Sequence, residues 1–446
     1  MTIAFYRQVH SALLAVAAVL ILPGCGADRS SKEVVFNCAA NAQEIEALSK
    51  EIPLFTRESG ITIKLSPFTG QEKLYAMIAA GQPPDIFYTN SVVRDQLAAQ
   101  GHLLDLRQVS ATDPFTQRLR ASAIQRGTSI DGGWYSLSNW IFTLGVYYNR
   151  DLFDEAGVPY PDASWTWDQM VATAQKLTKQ AKRGKEQYGI FIGSHFVEAL
   201  EQMNNAPIQP NALFLSVSNE SQEVYREYLD LMREEIMPDL QRVQAMGMQS
   251  RQMLESGRVA MLVEAVPDIS LLETLSIRWG VVPLPRFGNK PPRYFRSESG
   301  GFSISSKTGD PAATWEALKW IVSKASIYQP NPIFPDAGFV DGWEARYPKL
   351  VGSGFRAVWE LSEQHDDGDK RFFVRFSSWT SGTIMERLQP KLDQLWARRI
   401  SVDQLAATVP EINAAAKREI DNVLKNRNLN ESFRKQIEQQ LAIAPQ

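Results

Sequence analysis

Residues 33–99 read EVVFNCAANAQEIEALSKEIPLFTRESGITIKLSPFTGQEKLYAMIAAGQPPDIFYTNSVVRDQLAA, and their rhythm decides the fold. Glu33–Cys38 is a short β run. From Asn41 to Ser59, apolar residues at Ile45, Leu48, Ile52 and Phe55 fall at helical spacing. Gly60 closes that helix, and Ile61–Leu65 alternates as a strand. Gln71–Ala80 predicts a second helix, stopped by Gly81 and the Pro83-Pro84 pair. The strand Asp85–Tyr88 and the helix Ser91–Ala99 follow. Strand and helix in alternation imply a parallel sheet with helices on both faces. Ligands bind such sheets beyond the carboxyl ends of the strands. Those ends are Asn37–Gln43, Pro67–Gln71 and Tyr88–Ser91, rich in amide and hydroxyl groups suited to a neutral polyol. The same residues also suit helix caps and turns, and both uses can coexist.

Beyond residue 99 the pattern recurs. A second region begins near Trp140, with a strand at Gly145–Tyr148 and a short helix at Asp151–Ala156 closed by Gly157 and Pro159. Ser164–Lys182 predicts a longer helix, capped by Thr166 with Asp168 near its positive end. Residues 221–262 read mainly as helical, and strands are expected at Trp279–Leu284 and Gly301–Ser305. From residue 312 the chain is largely helical, broken by the Pro-rich stretch Gln329–Pro335. The polar tail from Asn426 is weakly amphipathic and expected to fray.

Composition narrows the function. The 446 residues are too many for one ordinary core and suggest two or three domains. A net charge of −3 gives no global reason to bind nucleic acid or an anionic membrane. Two Cys make no disulfide framework, and Cys38 reads as a buried thiol at a strand end. At the N-terminus, Arg7 precedes an apolar run from Ala12 to Leu22, about half of what a bilayer-spanning helix needs. The run stops at Leu22-Pro23-Gly24-Cys25, which resembles a bacterial lipobox, although Pro23 departs from its usual Ala or Ser. That resemblance implies a signal peptide over 1–24 and an acylated, palmitate-bearing Cys25. The alternative is a conventional signal peptide with an incidental Cys.

Several stretches, in order, carry a wider resemblance: LYAMIAAGQPPDI (74–86), LGVYYNRDLFDEAGVP (144–159), WTWD (165–168), Leu177-Thr178, Tyr188-Gly189, LESGRVAM (254–261), WGVVPLP (279–285), SGGFSI (299–304) and Ala312–Ile321. Together they resemble the extracellular solute-binding proteins of family 1, sugar-binding lipoproteins of ABC importers similar to maltose-binding protein. The resemblance implies an α/β, two-lobed, periplasmic-binding-protein-like fold of class II. Each lobe would be a mainly parallel sheet flanked by helices, and a hinge would join them. Residues 33–138 with 284–334 would form the first lobe, and 139–283 with 335–446 the second. Chain crossings are expected near Leu137–Trp140, near Val282–Pro285 and around Gln329–Pro335. A monomer is implied, membrane-bound through lipid alone and facing the periplasm or the cell exterior. It would deliver a sugar or polyol to ABC permease subunits.

Sugar sites pair aromatic plates with hydrogen-bonding rims, which directs attention to two Trp residues. Trp379 aligns with the late aromatic that stacks on sugar in the maltose-binding group, and Trp140 sits at the first crossing. Burial in a core is the competing fate of each. The other candidate ligand residues are Asn41, Gln43, Gln71, Tyr88, Thr89, Asn90, Glu264, Ser299, Gly300 and Gly301. After Glu264 the chain has Ala265-Val266-Pro267 where sugar binders often carry an aromatic, which argues against a linear maltodextrin. No catalytic residue, metal ligand or cofactor is expected. The four His lack metal-ligand spacing, Tyr147 and Tyr148 point to opposite faces of one strand, and no carboxylate pair is singled out. A glycan-active enzyme and a non-transport sugar receptor on the same fold are the competing readings.

Overall fold

The computed structural model describes residues 32–38, 42–67, 70–138, 141–179, 186–204, 206, 212–266, 275–290, 296–298, 300–323, 333–334, 338–364, 379–427 and 429–443. Among these residues ten strands build two sheets: β1 (Glu33–Cys38), β2 (Thr62–Pro67), β3 (Ile86–Thr89), β4 (Leu137–Ser138), β5 (Ile141–Asn149), β6 (Tyr188–Phe191), β7 (Val259–Val266), β8 (Trp279–Pro283), β9 (Arg296–Glu298) and β10 (Gly301–Ile304). The first sheet has the order β2-β1-β3-β10-β4. The second has β6-β7-β5-β8, with β9 also on β5. In the first lobe the helix Ala42–Ser59 turns Leu48 and Phe55 into the core, where Phe55 meets Trp320 of the helix Pro311–Ser323 at 4.9 Å.

Each sheet keeps four strands in one direction and holds one against them. β1, β2, β3 and β4 run together, with β10 antiparallel to both β3 and β4. β6, β7, β8 and β9 run together, with β5 antiparallel to β7, β8 and β9. The reversed strands are those by which the chain enters each sheet from the other. A chain arriving from the seam can only run away from it, whereas the remaining strands are free to run toward it.

The two crossings lie side by side. Leu137 and Ser138 pair with Phe302 and Gly301, and Ile141, Phe142 and Thr143 pair with Glu298, Ser297 and Arg296, in one register without slip. The chain thus passes from the first sheet to the second between Ser138 and Ile141. The return lies later than Val282–Pro285, because β9 still belongs to the second sheet. Of the third expected crossing, Ile333 and Phe334 fall within the described residues.

Two further expectations are corrected. Residues 219–255 hold the helices Asn219–Arg233, Leu240–Met246 and Ser250–Glu255, but Val259–Val266 is a strand. It is packed on both sides, Leu262 and Val266 into one core and Met261 and Val263 into another. A run apolar on both faces carries no period to separate strand from helix. Nor does the tail simply fray: Glu431–Ile443 is a helix with Phe433 and Ile437 fully buried. Tyr147 and Tyr148 do take opposite faces of β5, each in a different core. Cys38 is buried. No described helix is long and apolar enough to cross a membrane. The apolar run 12–22 and Cys25 lie outside the described residues.

Candidate ligand-binding cleft

The strand directions aim both lobes at one place. β3 ends at Thr89, level with Gly301, and β7 ends at Val266, level with Thr143. Gly301 and Thr143 each stand beside a crossing, so the carboxyl ends of both sheets converge there from opposite sides.

On the first-lobe rim, Thr89 is buried, and its hydroxyl lies 2.8 Å from that of Ser303 on β10. Tyr88 is half-buried, its ring edge-on to Phe302 at 6.3 Å. Asn90 is exposed and caps the helix Ser91–Ala99, its Oδ1 accepting the Val93 N–H at 2.9 Å. The cap takes one lone pair of that oxygen, and both its second lone pair and the NH2 group can meet a ligand. Gly300 has φ +107°, and a Cβ there would strike the Tyr88 ring and the Thr89 carbonyl. At Gly301 a Cβ would stand 2.7 Å from the Leu137 carbonyl. Both glycines therefore answer a demand for close packing where the crossing meets the sheet.

One residue of this rim opens the strand end Asn37–Gln43 but is not among the candidate ligand residues named from the sequence. Asn37, 5% exposed near the end of β1, donates from Nδ2 to the Ser66 and Pro67 carbonyls at 3.2 and 3.3 Å. Its Oδ1 is buried without a hydrogen-bond partner among the described residues. An unsatisfied buried acceptor costs about 1–3 kcal/mol, so a hydroxyl donor from a ligand or a water is favoured there. The available signal was a polar residue interrupting the apolar run of a central strand at the end where ligands bind.

The other candidates are scattered. Gln71 is exposed at the start of the helix Gln71–Ala79. Glu264 is half-buried on β7 beside Gly145, in the second lobe, and its Oε1 accepts the Ala265 N–H at 3.0 Å. Trp379 is half-buried and packs on a cluster containing Leu74, Phe87 and Leu97 of the first lobe, perpendicular to Phe433 at 6.1 Å. Phe87 directly precedes Tyr88 and Thr89 on β3, so Trp379 and the first-lobe rim share one support. Cys25, Asn41, Trp140 and Ser299 lie outside the described residues, as does the side chain of Gln43. No group of three or more His, Cys, Asp or Glu among the described residues is placed to hold a metal ion.

A family model described as bacterial extracellular solute-binding protein matches residues 39–327. The chain belongs to this family. Its family places this solute-binding protein in the periplasm or at the cell exterior. Over 268 residues it is 23% identical to the sn-glycerol-3-phosphate-binding periplasmic protein of Rhizobium meliloti, covering 57% of this chain and 61% of that one. It thus spans about three fifths of the length of the curated relative it matches. An ABC substrate-binding protein from Listeria monocytogenes, solved in complex with cycloalternan, superposes with a TM-score of 0.68 at 18% identity, over 88% of this chain and 98% of that one. A cyclic α-maltosyl-1,6-maltose-binding protein from Arthrobacter globiformis gives 0.65 at 19%, over 86% and 99%. A cyclo/maltodextrin-binding protein complexed with maltotetraose gives 0.64 at 17%, over 89% and 98%. These likenesses show the two-lobed α/β fold. The family match ends before Trp379 and the terminal helix, which the solute-binding protein carries beyond it.

Proposed function

We propose that this protein captures a neutral sugar or oligosaccharide between its lobes and passes it unaltered to the permease subunits of an ABC importer. The observation that carries the reading is the convergence of both sheets' strand ends on the crossings, with hydroxyl and amide groups on the rim and the buried Asn37 oxygen without a donor among the described residues. Fold likeness to proteins solved with cycloalternan and maltotetraose supports the sugar class. A polyol phosphate is the second reading, favoured by the name of the Rhizobium relative. Calorimetric titration with neutral oligosaccharides and with sn-glycerol 3-phosphate separates the two. The first is expected to bind, and oligosaccharide recovered unchanged after long incubation counts against an enzyme. Binding of neither compound class would remove the proposal. Trp379→Ala is expected to weaken oligosaccharide binding at least about tenfold, equivalent to about 1.4 kcal/mol.

The lobe assignment is part of the proposal: 33–138 with 284–334, and 139–283 with 335–446, adjusted so that β9 stays with the second lobe and the last helix returns to the first. So are the monomeric state and the lipid anchor at Cys25. Cys25→Ser is expected to release the protein from the membrane fraction; retention of that variant in washed membranes would remove the anchor.

A further inference from the structure

We propose that the terminal helix Glu431–Ile443 is a working part of the ligand site, with Phe433 positioning Trp379 for ligand stacking. This rests on the reading that Trp379 meets the ligand. The chain around Trp379 leads into the helix Ser381–Trp396, whose Ile384, Leu388 and Leu395 are buried in the second-lobe core. The Trp379 ring packs elsewhere, on a cluster that joins Leu74, Phe87 and Leu97 with Leu213, Ile420 and, from the last helix, Phe433 and Ile437. The helix that follows Trp379 is thus anchored in one core while the indole is oriented against another.

Phe433 makes the oriented contact. It is fully buried, lies perpendicular to Trp379 at an interplanar angle of 81°, and on another side meets the Tyr135 ring at 6.3 Å. Tyr135 is held by its hydroxyl, which donates to Asp131 Oδ2 at 2.8 Å. Burial first, and then that hydrogen bond, push the Tyr135 hydroxyl well above its usual pKa, so it stays protonated and keeps donating. The helix is pinned at its start, where the Asn430 N–H donates to the Ala99 carbonyl at 3.2 Å and the Ser432 hydroxyl to Asp131 at 3.4 Å. An edge-on aromatic neighbour fixes ring orientation in a way an aliphatic one does not. A plate already oriented loses less side-chain freedom when a sugar face settles on it.

The test uses the full mature chain labelled with 5-fluorotryptophan, the Trp379 resonance being assigned by its loss in Trp379→Phe. Phe433→Leu keeps apolar volume and removes the aromatic edge. Ile437→Ala is the control, since it weakens the same helix in the same cluster without touching that ring pair. Phe433→Leu is expected to shift and broaden the Trp379 fluorine signal and to weaken maltotetraose binding about three- to tenfold. Ile437→Ala should lower the melting midpoint and leave the Trp379 signal in place. An unmoved signal in Phe433→Leu, or an equal displacement in Ile437→Ala, overturns the positioning role. If Trp379→Ala binds maltotetraose as the native chain does, the stacking reading fails instead. If neither maltotetraose nor cycloalternan binds to any of these proteins, the sugar assignment fails, and the fluorine signal still decides what Phe433 does.

Discussion

Polar residues at the strand ends have their first partners inside the protein. Thr89 bonds Ser303, Asn90 caps a helix, and Asn37 gives its amide hydrogens to the end of β2. The sequence allowed for this double use, since hydroxyls and amides that suit a sugar also suit a cap. It could not say that the Asn37 oxygen would find no donor among the described residues, because that depends on where two carbonyls of a neighbouring strand end up. Gly300 and Gly301 read from the sequence as candidate ligand residues, and their use in packing is plain in the distances. Gly301→Ala is expected to cost about 2 kcal/mol, the usual size of overpacking. The cost arises because the Leu137 carbonyl on the adjacent strand cannot move without opening the ladder beside the crossing. Urea denaturation of the purified variant measures it, and stability equal to the native protein's would show that the strands yield freely.

Elements with a period and a stop signal were legible from the sequence. Glu33–Cys38 and Ser91–Ala99 have the expected bounds. Thr166 caps Trp167–Leu177 in a reciprocal box, its Oγ1 accepting the Gln169 N–H at 3.3 Å while Gln169 Oε1 accepts the Thr166 N–H at 2.8 Å. Thr166→Ala is expected to lower stability by about 1 kcal/mol. Thr166→Ser should recover most of that, as followed by thermal melting of both variants. Elements whose apolar residues serve two neighbours were not legible. β7 has both faces in cores and so reads as helix. The last helix offers few buried side chains, Phe433 and Ile437 chief among them, which in a polar tail look too sparse to dock. Their value comes from a pre-existing surface of Leu97, Ala98 and Ala99 with Tyr135.

At the scale of the whole molecule, remote pieces of chain are tied by nodes such as Asp113 and Lys319. Lys319 Nζ donates to Asp113 Oδ2 at 2.6 Å, the Trp315 indole to the same oxygen at 2.8 Å, and the Phe115 N–H to Oδ1 at 2.9 Å. Burial alone would raise the Asp113 pKa, but these donors outweigh it and hold the carboxyl below its ordinary range. Its contribution is therefore complete above the unfolded carboxylate value of about 4 and is lost as pH falls through the lower folded value. Asp113→Asn is expected to cost about 2 kcal/mol at neutral pH. The gap to the native protein should narrow as the medium is acidified below about pH 4. Denaturation series at several pH values check this, and a gap independent of pH would rule out the carboxylate as its source. Local pattern determined the alternation of strand and helix, the α/β class and the capped ends, because period, glycine, proline and capping residues act within a few positions of themselves. Only the tertiary structure decided that β9 stays with the second sheet, that the two crossings run in one unslipped register, and that the last helix returns to the first lobe beside Trp379. Each is a choice among partners more than a hundred residues apart, settled by burial and backbone pairing that no local window of sequence contains.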